Sequence, residues 1–415
     1  MRISFPEHGL SKSDVLASMQ ALKSGDIDWK RGRAPLYVFD GGEDVYEMGR
    51  AAFFEFFKEN ALGGRRAFPS VLQMEEQVVG MAIDLLHGDD DVRGFMTTGG
   101  TESIIQAVQS ARDYERSKGR TPKTRFNIVA AATVHPAFNK AARLMDLDVV
   151  RTPVDANLRA DPDAIAKAID DDTIMLVGSA PCFPYGVIDP IKEIGQIALD
   201  TGVWMHVDAC VGGYVAPFAA MIGRDIPAFD FAVPGVCSIS ADLHKFGFCP
   251  KPASTVFYRD EVRARHHAFD FDDWPNGRFY TNTICGTRPA GGVAAAWAVF
   301  NHLGLDGYKL IATELMDFID LYKKRICEVD GLEILGKPHL SIVAYKSDDF
   351  DIYAVAEKLK NKGWLPGLVR DPKAIHQMMS LVHAKVFDEY IADVEDAVTS
   401  VRSDPGMQSE LKATY

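Results

Sequence analysis

Between residues 70 and 260 two hydrophobic patterns alternate along the chain. Apolar residues recurring every three or four positions predict helices over 73–86, 102–118, 165–170 and 191–200. Between them lie short, continuous apolar runs at 126–130, 148–150, 173–177, 203–207 and 254–258. A continuous run buries both faces of a strand, so such strands separated by helices predict an α/β fold with a mostly parallel central sheet and flanking helices. Ahead of this region the pattern predicts an arm: a capped helix over 13–22, an extended piece over 35–39 and an aromatic amphipathic helix over 45–58. Such arms often pack across subunits. A Gly/Pro-rich segment at 286–292 precedes a long helical stretch to about 328, a strand over 339–345, a helix over 352–362, an apolar run at 378–382 and a terminal helix. That order predicts a smaller α+β domain. The expected division is an arm at 1–60, a large domain at 61–300 and a small C-terminal domain at 301–415.

Composition narrows the function classes. The 415 residues are 47% hydrophobic and 25% charged, enough apolar surface for a sizeable core and too much for a disordered chain. A net charge of -13 argues against a nucleic-acid or polybasic membrane-surface partner, both of which need a cationic field. Any anionic substrate then needs a local cationic pocket. Cys182, Cys210, Cys237, Cys249, Cys285 and Cys327 form no C-x-x-C pair, so neither a metal site nor a disulfide framework is expected, and a reducing compartment fits. No leader pattern opens the chain and no run approaches the ~18 apolar residues of a membrane span, so the expected location is the cytoplasm.

Three segments carry candidate chemistry. Thr97-Thr98-Gly99-Gly100-Thr101-Glu102-Ser103 follows an apolar stretch and opens a helix, where free amides, glycines and hydroxyls suit a phosphate. An ordinary turn with Thr101 as cap competes with that reading. Asp208, in His206-Val207-Asp208-Ala209-Cys210, lies at the end of a predicted strand, where parallel sheets gather ligands, although a helix-capping aspartate looks the same. Lys245 ends the small, mostly apolar run Ser238-Ile239-Ser240-Ala241-Asp242-Leu243-His244. Lysine is usually a surface charge; desolvated, it has a lowered pKa and becomes a nucleophile toward aldehydes. A phosphate cradle, a strand-end carboxylate and such a lysine are the parts of a pyridoxal 5'-phosphate site.

With these residues in view, the sequence resembles the pyridoxal-phosphate-dependent group II decarboxylase family of fold type I. The resemblance spans nearly the whole chain and rests on TTGGTESI at 97–104, HPAFNKAA at 135–142, PYGVIDP at 184–190, HVDACVGG at 206–213, SISADLHKFGFCPKPAS at 238–254 and GTRPAGG at 286–292. It implies that Lys245 binds the cofactor aldehyde, Asp208 pairs with the pyridine nitrogen and His135 stacks on the ring. It also implies that Gly100, Thr101 and His244 surround the phosphate. Thr287 would reach the phosphate of a neighbouring subunit, making a homodimer with shared active sites. Lys251 matches a second lysine that assists proton transfer or substrate binding; a solvated lysine is the alternative.

The chain also departs from the family. Where members usually carry Thr-Pro before Phe-Pro-His-Gly, this sequence has Ala180-Pro181 and Phe183-Pro184-Tyr185-Gly186, which makes Tyr185 a candidate substrate contact. An arm tyrosine of the family falls near Tyr37 or Phe39, and Tyr37 joins the candidates. A family segment whose histidine is associated with the substrate phosphate corresponds to Asn60-Ala61-Leu62-Gly63-Gly64-Arg65-Arg66. The histidine is absent. Arg65 and Arg66 stand beside its place, in a loop that can reach the site's mouth, and arginine's planar fork suits phosphate oxygens. Two solvated arginines are the competing reading. The activity implied is carbon-carbon cleavage of a phosphorylated long-chain 2-amino alcohol to a fatty aldehyde and phosphoethanolamine. The alternative is amino-acid decarboxylation on the same cofactor. A non-enzymatic scaffold would be favoured by loss of Lys245 or Asp208, and neither is lost.

Overall fold

The protein is described from a computed structural model over residues 2–404 and 406–414. Seven strands build the central sheet: β1 (Arg93–Thr97), β2 (Asn127–Ala131), β3 (Asp148–Thr152), β4 (Thr173–Ser179), β5 (Trp204–Asp208), β6 (Val236–Ala241) and β7 (Ser254–Tyr258). Their order is β1-β7-β6-β5-β4-β2-β3. Neighbours from β6 through β3 pair in parallel, and β7 alone runs antiparallel to β1 and β6. Every residue of β2, β4, β5, β6 and β7 is buried, as a sheet covered on both faces requires. The helix Gly100–Ser117 covers one face through Ile104, Ala107, Val108 and Ala111, spaced at helical period. The carboxyl ends of β4, β5 and β6 therefore open side by side, which is where open α/β sheets place ligands.

Strands β1 and β6 belong to stretches that the apolar pattern does not mark as strands. β1 is short and half-buried at its start, and β6 reads Val-Cys-Ser-Ile-Ser-Ala, whose hydroxyls break the apolar run. A short ribbon, β8 (Phe269–Phe271) with β9 (Phe279–Thr281), is also not legible in the pattern.

The second sheet holds β10 (Glu333–Ile334), β11 (Ile342–Lys346), β12 (Gly367–Arg370) and β13 (Lys373–Met378), in the antiparallel order β10-β11-β13-β12. The helices Ile352–Asn361 and Phe387–Arg402 pack on it, and the apolar run at 378–382 divides between the end of β13 and a short helix, Leu381–Ala384. The predicted long helix runs from Gly291 to Glu328 but breaks at Gly304, whose φ of 54° and ψ of -172° leave the helical region. A positive φ is cheap there because glycine has no Cβ.

The arm differs from expectation in one place. The piece expected to be extended over 35–39 is no strand: Tyr37 has a φ of 66° and the chain bends at Leu36. It is held to the small domain by Leu365 N–H donating to Arg33 O at 3.0 Å and Met378 N–H donating to Pro35 O at 2.8 Å. The aromatic helix, Glu43–Glu55, lies on its own chain: Gly49 faces Pro250 and Val299, and a Cβ at Gly291 would meet Phe53 O at 2.7 Å. The first helix, Lys12–Leu22, buries none of its residues.

Candidate active site

At the carboxyl ends of β4, β5 and β6 lies a cavity of about 390 Å³. Its lining brings together Gly100, Thr101, His135, Asp208, His244 and Lys245 from separate stretches of chain. The helix Gly100–Ser117 starts at its edge, and first-turn amides have no acceptor within their own helix. Glu102 ties down the preceding loop, accepting from Thr98 N–H at 2.7 Å and from Ile284 N–H at 2.7 Å. Gly100 cannot carry a side chain: a Cβ there would lie 2.6 Å from Cys210 Sγ and 2.9 Å from both carboxylate oxygens of Asp242.

Asp208 ends β5, and its side chain accepts the Cys210 amide at 3.1 Å, which sets the carboxylate's direction. Lys245 follows β6 by one turn. Its Nζ lies 3.0 Å from Asp242 Oδ2, and His244 Nε2 lies 3.6 Å from the same oxygen. The other oxygen of Asp242 accepts from Ser254 Oγ at 2.5 Å. Ser254 in turn contacts Ser103 at 2.9 Å and Ser103 contacts Thr97 at 2.6 Å, so buried hydroxyls connect Asp242 to the start of the phosphate-type loop. His135 Nδ1 accepts the Ala137 amide at 3.1 Å, which puts the proton of a neutral ring on Nε2.

Charge states follow from these contacts. Burial pushes the Lys245 ammonium toward its neutral form, but the adjacent Asp242 outweighs it and the net pKa is raised. The expectation of a lowered lysine pKa is therefore corrected: the carboxylate 3.0 Å away over-compensates desolvation. Asp242 feels the converse; burial raises its pKa, and Lys245, His244 and the Ser254 hydroxyl bring it below the ordinary value. Burial lowers His135 and His244, keeping both imidazoles neutral near pH 7. Lys251 is exposed and outside the cavity lining; its pKa is lowered too, chiefly by desolvation of its ammonium.

The remaining predicted residues lie elsewhere. Tyr185 is buried, its hydroxyl donates to Asp371 O at 2.5 Å, and burial pushes its pKa up to about 12, so it points into the small domain and not at the cavity. This corrects its assignment as a substrate contact. Thr287 is exposed and lies within 3.4 Å of Asn60 Nδ2. Arg65 and Arg66 are exposed, the former over the Tyr280 ring at 5.7 Å, and neither lines the cavity. Tyr37 lines an adjoining chamber that shares His135 and Phe183 with the cavity. Asp242 is the site residue that sequence patterning leaves unassigned. Its signal is an acid three residues before the lysine in an otherwise apolar run, a spacing that one helical turn brings face to face.

The residues fit pyridoxal phosphate on this geometry: a glycine-only helix start for the phosphate, a strand-end carboxylate for the ring nitrogen and a buried lysine for the aldehyde. Comparison with known proteins agrees. Residues 64–348 match the pyridoxal-dependent decarboxylase conserved domain. A sphingosine-1-phosphate lyase of Oryza sativa subsp. japonica is 37% identical over 98% of this chain and 76% of its own length. A probable L-tyrosine/L-aspartate decarboxylase of Methanothrix thermoacetophila is 33% identical over 96% of this chain and 99% of its own. The solved sphingosine-1-phosphate lyase of Burkholderia pseudomallei superposes with a TM-score of 0.92 at 35% identity, covering 97% of this chain and 94% of that one. The chain belongs to the pyridoxal-dependent decarboxylase family, within the branch that holds the sphingosine-1-phosphate lyases.

Proposed function

We propose that the protein is a pyridoxal-phosphate-dependent lyase that cleaves sphingoid base 1-phosphates to a long-chain aldehyde and phosphoethanolamine. The observation that carries this reading is likeness over nearly the full chain to sphingosine-1-phosphate lyases. When bound, the cofactor supplies an electron sink for the pair left when a bond at Cα breaks. Asp208 would keep the pyridine nitrogen protonated, Lys245 would hold and release the aldehyde carbon, and the amides of Gly100 and Thr101 with His244 would bind the phosphate. His135, neutral because it is desolvated, would lie against the ring face without adding charge. The substrate's 3-hydroxyl gives up a proton as the Cα–Cβ bond breaks, Cβ leaves as the aldehyde, and a proton returns to Cα. Lys251 is the proposed carrier of that proton on the match of SISADLHKFGFCPKPAS at 238–254 to the family; it is exposed and does not line the cavity.

Homodimerisation is part of this proposal. Leu16 and Met19 of the unpacked first helix and Phe269, Phe271 and Trp274 of the ribbon are exposed, an apolar surface that a second copy would cover. Thr287, Arg65 and Arg66 would then act across that interface, Thr287 on the neighbouring cofactor phosphate and the arginines on the substrate's. The division at 60 and 300 is proposed with it, supported by the helix break at Gly304. Among the described residues no helix is long and apolar enough to cross a membrane, and all six cysteines are free, which supports a cytoplasmic location. Amino-acid decarboxylation is the second reading, favoured by the full-length likeness to the Methanothrix protein. Incubating holoenzyme with sphinganine 1-phosphate, tyrosine and aspartate separates them. Hexadecanal with phosphoethanolamine is the expected result; carbon dioxide from an amino acid and no aldehyde would overturn it.

A further inference from the structure

Beyond the helix Phe387–Arg402 the chain turns back over the small domain, and its exposure alternates. Met407, Ser409, Leu411 and Ala413 are half-buried, while Gln408, Glu410, Lys412 and Thr414 are exposed. A two-residue period belongs to an extended segment lying with one face on the protein. Met407, Leu411 and Ala413 pack against the main core, and the Ser409 amide donates to Asp351 Oδ2 at 3.2 Å. Leu411 to Thr414 then form part of the wall of a chamber of about 490 Å³. That chamber shares His135 and Phe183 with the cofactor cavity, so the two spaces adjoin across this edge-to-face ring pair, whose centroids are 6.4 Å apart.

We propose that residues 407–414 are a strap that forms one wall of a binding groove for the substrate's alkyl chain and sets which chain lengths the enzyme accepts. This rests on the substrate class proposed above and adds where the chain goes. Leu36, Leu365 and Leu368 line the chamber together with Leu411 and Ala413, whereas its cations, Lys360, Arg370 and Lys412, are all exposed. A phosphate would gain little inside such a lining; a hydrocarbon gains about fourfold in affinity per buried methylene. The strap is held mainly by apolar contacts that it shares with whatever fills the groove, so its order and the ligand's binding support each other.

The test uses holoenzyme and two probes that lack an amine, hexadecyl phosphate and hexyl phosphate, with affinities read by calorimetry. The intact protein should bind hexadecyl phosphate at least a hundredfold more tightly than hexyl phosphate. A variant ending at Glu410 should lose tenfold or more of that preference. Ala413→Trp keeps the strap and fills the groove, and should lose the preference to the same degree with hexyl phosphate affinity retained. If both variants keep the full preference, the strap does not line the groove and the proposal falls while the lyase reading stands. If the intact protein shows no preference for the longer chain, the substrate class itself is wrong and the groove falls with it.

Discussion

Replacing Asp242 by Asn removes the charge that governs Lys245. The carboxylate oxygen lies 3.0 Å from Nζ, and both groups are largely withdrawn from solvent. At an effective dielectric constant near 20, that pair is worth about 5 kcal/mol before screening. Lys245 keeps 21% of its side-chain exposure, and Asp208 remains in the same cavity, so about 3 kcal/mol is a fairer loss, equivalent to roughly two pH units. Only the neutral amine can condense with the cofactor aldehyde. At a fixed pH of about 7.5, where the lysine is almost wholly protonated, apoenzyme mixed with pyridoxal phosphate should therefore develop visible absorbance at a rate set by the small neutral fraction. In Asp242→Asn that rate should rise by up to about a hundredfold. The protein should also lose stability, since removing one partner of a buried pair strands the other. A rate within about threefold of the wild type's would show that Asp242 does not control the lysine, and would leave the raised lysine pKa without a cause.

Three further outcomes follow from the geometry. Gly100→Ala should weaken cofactor binding tenfold or more, because overpacking of about 1–3 kcal/mol must push Cys210 or Asp242 out of place; Gly80→Ala, with nothing near its Cβ, is the control, and equal cofactor titrations for the two would contradict this. His206 and His376 are buried, with pKa values lowered by desolvation to about 4, so the unfolded chain takes up protons first as pH falls below 6.5. Stability should accordingly fall on acidification, by about 2 kcal/mol per histidine at pH 5, read as the urea midpoint; an acid slope unchanged in His206→Gln would refute its share. Mixed and refolded Lys245→Ala and Thr287→Asp chains should recover up to about a quarter of wild-type activity if sites are shared, whereas no recovery, or a fully active monomer in sedimentation, would rule out a shared site.

Legibility in the sequence follows burial. Strands β2, β4, β5 and β7 stand out as mostly apolar runs, since a strand covered on both faces has no polar side to interrupt it. β6 does not, because Ser238 and Ser240 face inward to partner His206 at 2.8 and 3.1 Å, and a pattern of apolar positions cannot see a polar pair that satisfies itself. The cavity residues His135, Asp208 and Lys245 each end or follow an apolar run, which is what marks them. Asp242 belongs to the same run, but its importance comes from the turn that folds it back onto Lys245. Arg65, Arg66 and Thr287 illustrate the opposite case. Residue type and motif draw attention to them, yet their own chain places them on its surface, away from the cavity, so the roles proposed for them rest on the proposed dimer. Likewise, nothing in the residues after Arg402 signals a functional segment until the chamber wall is seen.

The proposed chemistry stands or falls on one lysine, just beyond β6 and beside Asp242, which would hold the cofactor aldehyde until the substrate amine displaces it and would take it back as the product leaves. Borohydride reduction of the holoenzyme, followed by proteolysis and mass mapping, decides the matter. The pyridoxyl phosphate mass should be found on the peptide containing Lys245, and Lys245→Ala should lack both the adduct and the visible absorbance. An adduct on Lys251, or one that survives Lys245→Ala at full yield, would contradict that assignment.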